Sequence, residues 1–139
     1  MKMRALRALL ALIFVAGLGG CAVQQPLSCQ AGKPAVQTQL YFGLNKPSGG
    51  TVSAKEWQGF VRREIAPRFP EGFTIVDGRG FWLGEASHRL EAENSRIVLR
   101  IHDRTASADK AINEIIADYK HDFAQESVLR VDVPVCAGF

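Results

Sequence analysis

The chain has 139 residues, with 17 Lys and Arg against 14 Asp and Glu, a formal charge of +3. Three of the cations, Lys2, Arg4 and Arg7, stand ahead of an apolar run, and beyond residue 20 the two signs balance at fourteen each. That neutral remainder gives no bulk-charge case for nucleic acid and holds no polybasic membrane patch, and it is long enough for one domain with its own core.

Ala8 to Leu18 is apolar apart from Gly17 and too short to span a bilayer as a stable helix. With the charged start and the small residues after it, it reads as a signal peptide over residues 1–20. Leu18-Gly19-Gly20-Cys21 resembles the lipobox of bacterial lipoproteins, in which the cysteine sulfur takes a diacylglyceryl group, the preceding peptide is cut off and the new amino terminus is acylated. The expectation is a protein held in the lipid bilayer by acylated Cys21, facing the periplasm of the bacterial cell envelope. Ala22 resembles the outer-membrane sorting choice more than the retention signal with aspartate there. An ordinary secreted protein or an uncleaved anchor is the alternative.

Residues 21–35 are polar, with two prolines, and read as a tether to a single domain over residues 36–139. Residues 36–44 alternate Val36, Thr38, Leu40 and Phe42 against Gln37, Gln39 and Tyr41, a half-buried strand. Ser53 and Glu56 form a capping box ahead of a helix whose apolar face carries Trp57, Phe60, Val61 and Ile65, and Pro67 is expected to stop it. Residues 73–83 and 89–102 read as one long hairpin, with either a bulge at Gly78 and Gly80 or an extra turn at Asp77-Gly78. Ala108, Ala111, Ile112, Ile115, Ile116, Tyr119 and Phe123 make the stripe of a second helix. Residues 126–133 are the last strand, ended by Pro134.

Strand, helix, strand, strand, helix, strand predicts an α+β, ferredoxin-like βαββαβ fold: a four-stranded antiparallel sheet with both helices on one face. In that plan the start of the first strand lies beside the end of the last. Cys29 and Cys136 then sit at the same end and are expected to form a disulfide, two buried thiols being the alternative.

The segments "LYFGL" (40–44), "EWQGFVRREIAPRFPEGFTIVDGRGFW" (56–82), "SRIVLRIHD" (95–103) and "IIADYKHDFAQESVLRVDVPVC" (115–136) together resemble a bacterial family of secreted proteins and lipoproteins, domain of unknown function 3574, over residues 36–139. The recurring features are Tyr41-Phe42-Gly43, Trp57, Pro67-Arg68-Phe69-Pro70, Gly80 with Trp82, and Gln125-Glu126-Ser127-Val128. The resemblance implies export and a small α+β domain, and lends no catalytic residues.

No catalytic motif emerges. Gly78, Gly80 and Gly84 miss the dinucleotide spacing, and His88, His102 and His121 have no metal-ligand spacing, so no cofactor and no metal are expected. The working surface is placed on the sheet face opposite the helices. Alternation puts Leu40, Phe42, Ile97, Leu99, Ile101, Leu129 and Val131 under the helices. It puts Gln39, Tyr41, Arg100, His102, Glu126 and Arg130 outside, where two guanidiniums beside a phenol suit an anionic group. A plainly solvated face is the alternative for that surface. The expected role is a binding or envelope-interaction module, with an envelope protein or a second copy of the chain as partner. A small-molecule enzyme using the same face, as a dimer, is the other reading. Trp57 is expected in the core, and Trp82, after two glycines, in solvent.

Overall fold

The computed structural model describes residues 28–83 and 88–138; Cys21, the apolar run before it and the tether as far as residue 27 lie outside the described residues. The strands are β1 (Lys33–Gly43), β2 (Thr74–Leu83), β3 (Leu90–His102) and β4 (Leu129–Ala137), in the sheet order β2-β3-β1-β4. Every neighbouring pair is antiparallel. Two helical arms cover one face, as the ferredoxin-like plan requires.

The first arm opens as α1 (Ala54–Phe60), where Ser53 accepts from the Glu56 N–H and the Glu56 carboxylate accepts from the Ser53 N–H, completing the capping box. Pro67 does not stop it. The chain passes through a π-helical turn (Val61–Ile65) into α2 (Ala66–Arg68), and Pro67 lies in the first turn of α2, where a missing N–H is tolerated. The arm ends at Arg68, the next residue, and delivers Phe69 to the core, 2% exposed. The second arm, α3 (Ala106–Phe123), is capped by Thr105, and the chain leaves it through Ala124 in the left-handed conformation.

The core lies between the arms and the sheet. Phe42 from β1 packs edge-on against Tyr119 (4.7 Å between centroids) and against Phe60, while Trp57 and Phe123 extend the ring cluster. Ile112 and Ile115 are fully buried beside them, so the apolar stripe of the second helix is the face that packs.

The hairpin holds one register from Thr74↔Leu99 to Leu83↔Leu90, so residues 77–80 form neither a bulge nor a turn. Gly78 answers a shortage of room, since a Cβ there would come 2.8 Å from Ser95 Oγ. Nor does Pro134 end the last strand. It pairs with Val36 on an edge strand, the position in a sheet that tolerates a missing N–H. β4 therefore runs on to Ala137, and β1 gains partners from Lys33 onward. Cys136, opposite Pro34 in that pairing, is bonded to Cys29, with Cα atoms 5.6 Å apart.

The register also corrects the assignment of faces. Leu40 pairs with Val98 and Arg130, Thr38 with Arg100 and Asp132, and Val36 with His102. Paired residues point to one side, so Val98, Arg100, His102 and Arg130 join Leu40 and Phe42 on the helix side. The open side instead receives Ile97, Leu99, Ile101, Leu129 and Val131 beside Gln37, Gln39 and Tyr41. Ile101 is 43% exposed and Leu129 58%. A shift of one residue reverses every side chain of a strand, and both alternate sets of β3 contain apolar residues, so alternation had no means of choosing between them.

Candidate functional site

The six residues expected on one surface divide between two. Arg100, His102 and Arg130 lie toward the helices, where the side chains beneath the arms are polar enough to receive them. Thr38, 1% exposed, gives its hydroxyl proton to Asp132 (2.5 Å), and its oxygen lies 2.9 Å from His102 Nε2. His102 Nδ1 is 2.9 Å from the Asp103 carbonyl. Arg130 binds Asp132 on one side and Asp109 and Asn113 of α3 on the other, tying β4 to the helix. Burial pushes the Asp132 carboxyl up, but the hydrogen bonds from Thr38 and Arg130 outweigh it and hold it below the ordinary carboxylate range. With its proton committed and its side chain enclosed, Thr38 is no nucleophile, and this cluster holds the fold.

The open face carries the concave site. A cleft of about 770 Å³ lies at its upper end, where β1 finishes and the hairpin projects. Gly43 and Gly80 line its floor. Gly80 and Trp82 are alternate residues of β2 and share one face, so a position without a side chain stands next to a large wall. Trp82 pairs with Glu91 and Gly80 with Glu93, which sets both carboxylates into the cleft wall. Tyr41 forms another wall and donates its hydroxyl to Gln39 Oε1 at 2.7 Å. Glu126 closes the side, from the loop before β4 and not from the strand itself.

Several bonds fix this rim. Glu93 accepts from the Asn45 N–H (2.8 Å), Gln125 donates to the Asn45 carbonyl (2.7 Å), and Tyr119 reaches from the core to the Gly43 carbonyl (2.7 Å). Burial pushes the Tyr119 phenol up, so it stays a donor. Lys46 also lines the cleft, but its ammonium is paired with Glu56 at 2.7 Å. The balance inside is acidic and aromatic.

Of the expected residues, then, Tyr41 and Glu126 share the cleft, and Gln39 orients Tyr41. Sequence reasoning missed Glu91 and Glu93 and the glycine floor. The signal was present in Gly80-x-Trp82: on a strand, that spacing sets a position without a side chain beside a wall. Among the described residues, no group of three or more His, Cys, Asp or Glu could hold a metal ion.

An antiparallel βαββαβ sheet with both arms on one face and a cleft on the other defines a ferredoxin-like α+β domain. The chain belongs to the protein family of unknown function DUF3574, whose model matches residues 37–139. No curated protein matches it. Among solved structures it is similar to a phage SAM lyase in complex with S-methyl-5′-thioadenosine, at 20% identity and a TM-score of 0.54, over 80% of this chain and 96% of that one. The apo state of a phage SAM lyase gives 22% identity and 0.52, over 81% and 98%. The periplasmic divalent cation tolerance protein CutA from Archaeoglobus fulgidus gives 14% and 0.47, over 74% and 87%. At these identities the likeness is one of fold.

Proposed function

We propose that the protein is an exported, lipid-anchored binding module whose open-face cleft takes a small organic cation. The observation that carries the binding reading is the cleft's composition: Trp82 and Tyr41 stand with Glu93 and Glu126 beside Gly43 and Gly80, and the lysine lining it is paired with Glu56. Aromatic faces and carboxylates both favour a positive group, and most strongly one whose methylated or apolar body also gains from leaving water. Below the cleft, Ile97 and Leu129 flank Tyr41 on the same face and offer that body a surface. What supports export is the charged start, the apolar run and the LGGC box, together with a disulfide of a kind that persists in oxidising compartments.

Tryptophan fluorescence tests the cleft, because Trp82 is 43% exposed and Trp57 only 5%. Titration with choline should change the Trp82 signal saturably. Gly80→Val should abolish the response without unfolding the protein, since the nearest atom to a Cβ at Gly80 is 4.0 Å away. A saturable response that survives in Gly80→Val would place binding elsewhere, and no response from choline or tetramethylammonium would defeat the cation reading.

A further inference from the structure

The opposite end of the helix side holds a second hollow, of about 320 Å³, between the turn after α2, the end of β3 and the start of α3. Arg100 forms part of its wall, and its side chain is only one-tenth exposed. The guanidinium lies over the Phe69 ring, 4.3 Å from the centroid. Its polar contacts are long: 3.5 Å to the Arg68 carbonyl and 3.7 Å to Glu71, a residue largely in solvent. Arg100 Nε is buried with no acceptor. A buried cation left this short of partners is costly, and an added anion would relieve it.

The neighbouring charges are already engaged. Arg68 is held by Glu64, Glu114 and Asp118, Asp103 faces Lys33 at 3.1 Å, and both ring nitrogens of His102 have partners. The other wall is the first turn of α3, an 18-residue helix. Thr105 takes the Ala108 N–H, while the N–H groups of Ala106 and Ser107 precede any intrahelical acceptor. The Ser107 hydroxyl lies beside them, 3.0 Å from Thr105 Oγ1. Guanidinium, hydroxyl and helix N-terminus together form a receptor for a tetrahedral oxyanion.

We propose that this hollow binds a phosphate group. Two sources share that chemistry, a soluble phosphate compound and a phospholipid headgroup. The hollow lies at the end of the sheet where Cys29 enters. Acylation of Cys21 would hold that end near the bilayer, so the headgroup source rests on the lipid-anchor reading, whereas the site does not.

The test is thermal and chemical unfolding of the full lipoprotein in detergent, with inorganic phosphate against chloride at equal ionic strength. At ten times its dissociation constant, phosphate should raise the folding equilibrium constant about elevenfold. Ser107→Asp should stay folded, because a carboxylate in the first turn suits the helix end, and it should lose the phosphate effect by supplying its own anion. Arg100→Gln should lose it as well; if that variant does not fold, Ser107→Asp decides. Equal stabilisation of wild type and Ser107→Asp, or none in wild type, overturns the site. In phosphatidylglycerol vesicles, loss of the added-phosphate effect with wild type already stabilised relative to Ser107→Asp assigns the headgroup. A persisting effect assigns a soluble ligand.

Discussion

Arg130→Ala measures whether the arginine belongs to the helix side. Its guanidinium reaches Asp132 at 2.9 and 3.2 Å, Asp109 at 2.5 Å and Asn113 at 3.3 Å, and its side chain is 22% exposed. Asp109 is half in solvent, which limits that pair to roughly 0.2–1 kcal/mol. Asp132 is more enclosed and keeps Thr38 as its other partner, so losing its charged bonds adds a similar or larger amount, for a total of about 1–2 kcal/mol. In a domain of this size that lowers Tm by roughly 4–15 °C. The sign with pH follows from the depressed Asp132 carboxyl: the contribution is fully present above the ordinary aspartate value and fades as pH falls through the folded one. The penalty of Arg130→Ala should therefore be larger at neutral pH than in acid. The assay is urea unfolding of wild type, Arg130→Ala, Asp109→Asn and the double variant, with an expected coupling of about 0.5–1 kcal/mol. Zero coupling, with a loss from Arg130→Ala that does not vary with pH, would mean that the guanidinium does not bridge to α3 and that the register is wrong.

Glu56 is lowered to about 2 by the hydrogen bond from Lys46 and then by those from Ser53, so its stabilising effect is complete above about 4.5 and lost as pH falls toward 2. Glu56→Gln should remove that part of the acid limb in a pH-unfolding series. Tyr119→Phe keeps the ring packing and deletes the bond to the Gly43 carbonyl, with an expected cost of about 1–3 kcal/mol by denaturant titration. Reduction of Cys29–Cys136 releases a constraint spanning 107 residues and should cost at most about 4–5 kcal/mol, while circular dichroism keeps the signature of the sheet. Cys21→Ser should abolish lipid labelling, and unchanged membrane attachment would remove the anchor from the proposed function.

The order of elements was legible in the chain because it depends on local periodicity. The capping box at Ser53 and Glu56, the stripe from Ala108 to Phe123 and the alternation of residues 36–44 each report what a neighbouring few residues do, and all three stand in the fold. The placing of Cys29 beside Cys136 followed from that order, since strand sequence sets which ends meet. Part of the cleft's lining was legible too: Tyr41 and Glu126 line it, and Gly80 stands two residues before Trp82. Faces were another matter. Arg96 to His102 offers two alternating sets, and Ile97, Leu99 and Ile101 form the more hydrophobic one, yet that set faces outward. The choice is made by pairing with β1 and by what lies above each position. Phe69 offers a ring to Arg100, Thr38 and Asp132 form a hydrogen-bonded chain with His102, and α3 presents Asp109 to Arg130. Those partners are 21 to 94 residues away in the chain for the hydrogen-bonded pairs among them, beyond the reach of any local pattern. Long-range pairing placed the polar groups inside and left outside an apolar face with a cleft lined by carboxylates.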